Sequence, residues 1–227
     1  MSTTGLAAPA SAAQLYLGRG DDLAPGRPLL TGDVFVDVSI DADEHHGLVM
    51  VVAHPCSMRG PKGRLVKRIA VAPIRNYQRV AFEKWPTGHF KVLPLPNLMG
   101  ATDDQSRAVH LLEISAVRSE QLTAERRILA LTGLGIHVLQ QRLVYSLTRV
   151  EVGLDRLQEQ TAHVLLEAEL EEEWVDELGD DSSDACATAS AAFAEFMDQG
   201  HRDALKDSTR RSDITREVRS EIRRRRA

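Results

Sequence analysis

Apolar and polar residues change rhythm once along this chain. Between residues 32 and 118 the apolar positions follow period two or form short buried runs. Val34, Val36 and Val38 alternate with Phe35, Asp37 and Ser39, which predicts a strand. Leu48-Val49-Met50-Val51-Val52-Ala53 suits a strand covered on both faces. Arg68 to Ile74 predicts a third strand, with Pro73 marking a bulge or strand end. His89 to Leu95 predicts a fourth, and Val109 to Ile114 with Ala116-Val117 a fifth. Turn residues separate these runs at short spacing and no long helical pattern intervenes, the signature of a small, mostly antiparallel barrel or sandwich.

After Arg118 the period lengthens. Ile136, Leu139, Leu143 and Leu147 fall on one helical stripe. Leu154, Leu157, Val164, Leu165, Trp174, Val175 and Leu178 carry a second helix to Gly179, a plausible C-cap. A third helix is expected through Phe193 and Met197, and a last one through Ile214, Val218 and Ile222. Residues 1–28 are rich in Ala, Gly, Ser and Pro without a periodic apolar face, so they are expected as a flexible arm. The division expected is therefore an arm at 1–28, a barrel with a closing helix at 29–150 and a charged helical extension at 151–227.

Composition changes this picture little. Of 227 residues 43% are apolar and 27% charged, which permits a packed core and rules out wholesale disorder. Two distant cysteines, Cys56 and Cys186, argue against a disulfide scaffold and for a reducing compartment. No apolar run approaches the ~20 residues of a membrane helix. Met1-Ser2-Thr3-Thr4-Gly5 lacks the basic start and apolar centre of a signal peptide, so a soluble, cytoplasmic protein without membrane contact is expected.

Charge is more informative. The net charge of −5 conceals a segregation. From His45 to Gly100 nine basic residues face one acid, Glu83. From Glu151 to Asp184 thirteen acids face one base, Arg156. The chain ends on Arg223-Arg224-Arg225-Arg226. Such asymmetry points to nucleic acid, to self-pairing, or to both. Tyr77, Phe82, Trp85 and Phe90 lie among the cations, and aromatic stacking beside phosphate pairing is a common way to hold single-stranded RNA.

The stretch His54-Pro55-Cys56-Ser57-Met58-Arg59-Gly60-Pro61-Lys62-Gly63 follows a buried strand and opens into a basic loop, where function tends to sit. His54 and Cys56 with His45 or His46 would be the donors of a metal site. The paired Cys-x-x-Cys spacing is missing, however, and neither metal nor cofactor is expected. Cys56 as a nucleophile would need an adjacent base that the sequence does not provide.

The order of elements resembles the PemK/MazF-like toxins, a family of compact SH3-like barrels. Gly32-Asp33 before the alternating Val34–Val38 resembles the family's opening strand, and Leu48 to His54 its second. Ile69-Ala70-Val71-Ala72-Pro73-Ile74 is similar to the next strand, with its apolar-Pro-Ile ending. Val109 to Val117 resembles the late strand, Ser119 to Leu122 the turn after it, and Ile136 to Leu147 the closing helix. The likeness spans roughly residues 30–150. It implies an α+β fold, a small SH3-like antiparallel β-barrel followed by a helical C-terminal extension. It also implies a toxin-like, metal-independent endoribonuclease, or an RNA binder that has lost cleavage.

Two family positions differ. The Arg-Pro that usually precedes the second strand is Gly47-Leu48 here, after His45-His46, and the Thr or Ser after Pro-Ile is Arg75. RNA cleavage through the 2′-hydroxyl needs a base, an acid and a cation. His46, His54 and Arg75 provide those types and form the candidate catalytic set. Arg59, Lys62, Arg64, Lys67, Arg68, Lys84 and Trp85 form the candidate RNA-binding set. The acidic helix reads either as a solvated face or as a tail that covers the basic face. A different class of function also fits: a noncatalytic module that binds a protein through the helical extension or assembles into homo-oligomers.

Overall fold

The computed structural model describes residues 5–40, 46–60, 64–100, 102, 104–179 and 182–227. It divides into two compact units. The first takes Met1–Leu23, Leu30–His54 and Lys67–Glu159; the second takes Ala24–Leu29, Pro55–Val66 and Gln160–Ala227. The fold is α+β, as the switch in period implies.

The first unit holds one antiparallel sheet. Its strands are β1 (Tyr16–Arg19), β2 (Val34–Ser39), β3 (His46–Val51), β4 (Arg68–Asn76), β5 (Val92–Leu95), β6 (Arg107–His110), β7 (Ser115–Arg118) and β8 (Arg127–Leu131). They run in the order β1-β8-β2-β3-β4-β6-β5, with β7 paired to β4. The long β4 carries two partners in sequence, Arg68–Val71 against β7 and Ile74–Asn76 against β6. The ladder is open, with β1 and β5 at its ends. Side chains tie those ends together: the Tyr16 hydroxyl donates to the Pro96 carbonyl at 2.8 Å, and Arg19 donates to the carbonyls of Leu98 and Asn97.

Val34, Phe35, Val49, Met50, Val51, Val71, Leu93, Leu95, Val109 and Leu129 are fully buried, each contributing about 1.5–3 kcal/mol of apolar transfer. Gly32-Asp33 makes the corner that opens β2. Gly32 has φ +89° and donates to Val51 O, while Val51 N donates to Asp33 O. The Asp33 carboxylate, 0% exposed, accepts from Leu30 N at 3.0 Å and faces Arg127 of β8 at 3.4 Å.

The N-terminal segment expected as a flexible arm is built into this sheet. α1 (Ala12–Leu15) leads into β1, which pairs with β8. Leu6, Leu15 and Tyr16 are buried, a sparse anchoring that carries no periodicity. β8 itself escapes the period-two reading because three consecutive residues, Leu129 to Leu131, are all buried. The expected fifth strand is two strands, β6 and β7, divided by a turn at 111–114.

α3 (Gly133–Thr148) closes the first unit. Thr132 caps it, accepting from Gly135 N at 3.0 Å, and the same hydroxyl donates to Gln14 O at 2.6 Å. A Cβ on Gly135 would lie 2.5 Å from Leu15 O, so only glycine lets α3 approach the N-terminal segment this closely. Thr132→Ala removes the cap and the tie to Gln14 together. It should lower stability by about 1–2 kcal/mol in a urea titration, with the slope unchanged. The expected stripe on α3 is shifted: Leu147 is 57% exposed, whereas Arg142 is fully buried.

The second unit is helical. It contains α2 (Pro55–Met58), most of α4 (Leu154–Leu178), α5 (Ser183–Phe196), α6 (Arg202–Lys206) and α7 (Arg211–Arg226). Leu170, Trp174 and Val175 of α4 pack with Phe193, Met197, Leu205, Ile214, Val218 and Ile222. Five of the nine acids of α4 are paired inside this unit. Glu171 meets Arg59 at 3.0 Å, Glu172 meets Arg27 at 2.7 Å, Glu167 meets Arg202 at 2.8 Å and Glu173 meets Arg219 at 2.9 Å; Glu177 pairs with Arg226. The helix expected as a solvated face or a covering tail thus has its apolar side and five of its carboxylates engaged by its own unit.

Candidate functional site

β4 and β6 set the site by their register. Arg75 lies opposite Ala108 and Ile74 opposite Val109, so period two puts Arg75, Tyr77 and His110 on one side of the sheet. β6 ends at His110, and a tight turn follows in which Glu113 N donates to His110 O at 3.1 Å. The turn returns the Glu113 carboxylate onto its neighbours. One oxygen pairs with His110 Nδ1 at 3.2 Å and the other with Arg75 Nη2 at 2.8 Å. The side chains of Arg75, Glu113 and His110 are 52%, 42% and 24% exposed, so the group stands at the surface with the imidazole innermost.

Tyr77 joins this group to a second imidazole. Its ring meets His110 edge-on at 6.2 Å and His89 edge-on at 5.8 Å. The Tyr77 hydroxyl is 3.0 Å from His89 Nδ1, and the tautomer of His89 decides which of the two donates. His89 adopts φ +56°, a left-handed conformation that aims the ring at Tyr77.

The loop that holds His89 is fixed from below by Arg142 of α3. The guanidinium, 0% exposed, donates to the carbonyls of Val92 (2.9 Å), Trp85 (3.0 Å), Gly88 (3.2 Å) and His89 (2.7 Å). It also lies over the Trp85 ring at 5.6 Å. Burial pulls the Arg142 guanidinium down to about 10, and the neighbouring Tyr77 works against that shift. The group keeps its charge at neutral pH, held by backbone dipoles. Two imidazoles, a phenol, a carboxylate and a guanidinium therefore converge, which is the equipment of general acid–base chemistry beside an anion. A groove of about 640 Å³ is lined by Gln78, Arg79, Phe82, Pro94, Asn97 and Arg107 among others, and no side chain of the cluster lines it.

Of the expected catalytic set, only Arg75 belongs to this cluster. His46 lies at the same end of the β3–β4 ladder, two residues beyond the Leu48–Ile74 pair, and its Nδ1 pairs with Asp37 at 3.1 Å. His54 follows the opposite end, beyond the Val51–Val71 pair, so the ladder separates it from Arg75. The register thus places His54 and Arg75 at opposite ends of the ladder.

The expected RNA-binding set is divided as well. Lys67, Arg68 and Lys84 are exposed on the first unit. Arg59 and Arg64 belong to the second, where Arg59 pairs with Glu171. Lys62 and His45 lie outside the described residues. Trp85 is 0% exposed and donates to Val80 O at 3.3 Å; it is a core residue over Arg142, and no base can stack on it. Among the described residues no three His, Cys, Asp or Glu side chains gather as metal ligands, and no helix is long and apolar enough to cross a membrane.

Sequence reasoning missed Tyr77, His89, His110 and Glu113 as a group. The available signal was His110-x-x-Glu113 astride a strand end, with Tyr77 two residues after Arg75. In comparisons with protein-family models and with curated proteins, nothing matches this chain.

Proposed function

We propose that the first unit is an RNA-directed, toxin-like domain that cleaves single-stranded RNA without metal at the Tyr77 cluster. The observation that carries this reading is the meeting of His89 and His110 at the Tyr77 ring, with Arg75 joined to His110 through Glu113 at the end of the β4–β6 ladder. In this reading the RNA 2′-hydroxyl attacks the adjacent phosphorus. One imidazole takes the hydroxyl proton and the other gives a proton to the departing 5′-oxygen. Arg75 stabilises the charge on the phosphorane oxygens. The products are a 2′,3′-cyclic phosphate and a 5′-hydroxyl. In the free protein Glu113 accepts from His110 Nδ1 and holds the imidazole in place.

The fold side of the proposal is an SH3-like barrel of the PemK/MazF-like kind. Its support is the Gly32-Asp33 corner, the short antiparallel strands and the side-chain ties from β1 to the segment after β5. Catalysis on this barrel would then sit around Tyr77, away from the position that Gly47-Leu48 fills.

The test is to incubate the full chain with single-stranded RNA in EDTA and to follow binding and cleavage together. Lys67→Glu with Arg68→Glu should weaken RNA binding and reduce the slope of log affinity against log salt by roughly 1–2, because fewer counterions are released. Unchanged affinity and slope would show that RNA makes no contact at this end of β4. A folded chain that neither binds nor cuts RNA would favour the noncatalytic interaction module.

A further inference from the structure

We propose that Arg75 and His110 form a phosphate-binding site which Glu113 fills in the free protein as an internal anion. The reading of the ligand as an RNA backbone phosphate rests on the function proposed above; the anion site itself stands on geometry. Each Glu113 oxygen serves a different donor, Arg75 Nη2 at 2.8 Å and His110 Nδ1 at 3.2 Å. A phosphate presents two oxygens to two donors in the same manner, and guanidinium groups favour such planar recognition.

Three features make Glu113 a replaceable occupant. It sits on a turn of four residues rather than on a strand, and it is 42% exposed. An ion pair this exposed is worth only about 0–1 kcal/mol, so a competing anion need overcome little. The imidazole also presents only its Nδ1 edge to a ligand, because the other edge is turned inward. His110 Nε2 is enclosed and, among the described residues, has no hydrogen-bond partner. The Tyr77 ring lies edge-on to the same imidazole. A phosphate that takes the place of the carboxylate gains the Arg75 fork and leaves Glu113 to turn toward solvent. Binding and release of the site are thereby coupled to the state of the 111–114 turn.

The experiment compares wild type, Glu113→Gln, Arg75→Ala and the double variant, all as full-length chains checked for folding by circular dichroism. Two probes are titrated calorimetrically: inorganic phosphate, and a hexameric 2′-O-methyl RNA that cannot be cleaved. Glu113→Gln should tighten both about threefold to fivefold, the fold equivalent of the upper range for an exposed pair. Arg75→Ala should weaken both and erase the gain in the double variant. Tighter phosphate with no binding of the hexamer would support the anion site and overturn the RNA reading. Unchanged or weaker phosphate binding in Glu113→Gln would overturn the internal-anion proposal, even where the wild-type chain still binds the hexamer.

Discussion

Replacing Arg142 with methionine is expected to lower the stability of the first unit by about 3–5 kcal/mol, more than any surface change in the molecule. The guanidinium is fully buried and satisfies four carbonyls, those of Trp85, Gly88, His89 and Val92. Methionine fills much of the volume and donates nothing, so these acceptors lose their partner in a place that water reaches poorly. Arg142→Lys keeps the charge and loses the planar fork, and should fall between the two. The check is thermal unfolding followed by circular dichroism, where a loss of this size moves the midpoint by roughly 10 °C. A midpoint within a few degrees of wild type for Arg142→Met would mean that the 85–92 loop is held by other contacts.

The second large effect belongs to His110. His110→Ala should lower the rate of RNA cleavage by about 10²–10⁴-fold, the usual range for one positioned acid or base. Arg75→Ala should act on the same step, since it removes the cation beside the phosphorus. His54→Ala provides the contrast. It lies past the other end of the β3–β4 ladder and should leave cleavage within a few-fold of wild type. Single-turnover rates at saturating protein separate these effects from changes in affinity. Comparable losses for His54→Ala and His110→Ala would place the chemistry elsewhere.

The strands and helices were legible wherever apolar residues repeat with one period. Val34 to Val38 declare β2 as a strand, although its alternation is broken: Phe35 is buried, Val36 is exposed and the register shifts between Phe35 and Val38. Ile214, Val218 and Ile222 declare α7 by helical spacing. What escaped were elements anchored by few residues. β1 and the segment before it rest on Leu6, Leu15 and Tyr16, too sparse for a period to emerge. Their docking depends on Gly135, a residue that reads as punctuation in the sequence and as a close approach in the fold.

The charged residues misled for a physical reason. A run of cations counts residues without regard to their partners, and partners come from distant parts of the chain. Arg59 belongs to Glu171, 112 residues away. Trp85 looks like a stacking platform among lysines, yet it covers the buried Arg142. The site was hidden by the same kind of long-range assembly. His89 and His110 each sit in a segment that reads only as a strand, and the β5–β6 and β4–β6 pairings bring them to Tyr77. Arg75 was reachable because the resemblance read in the sequence drew attention to the residue after Pro73-Ile74.

The claim that most needs testing is that the Tyr77 cluster cuts RNA. The direct measurement is single-turnover cleavage of a defined single-stranded RNA in EDTA, by wild-type and His110→Ala chains of equal thermal stability, with the product ends identified. The account predicts cleavage by the wild type to a 2′,3′-cyclic phosphate and a 5′-hydroxyl, and a loss of at least about 100-fold in His110→Ala. Equal rates in the two proteins, or no cleavage by the folded wild type, would contradict it.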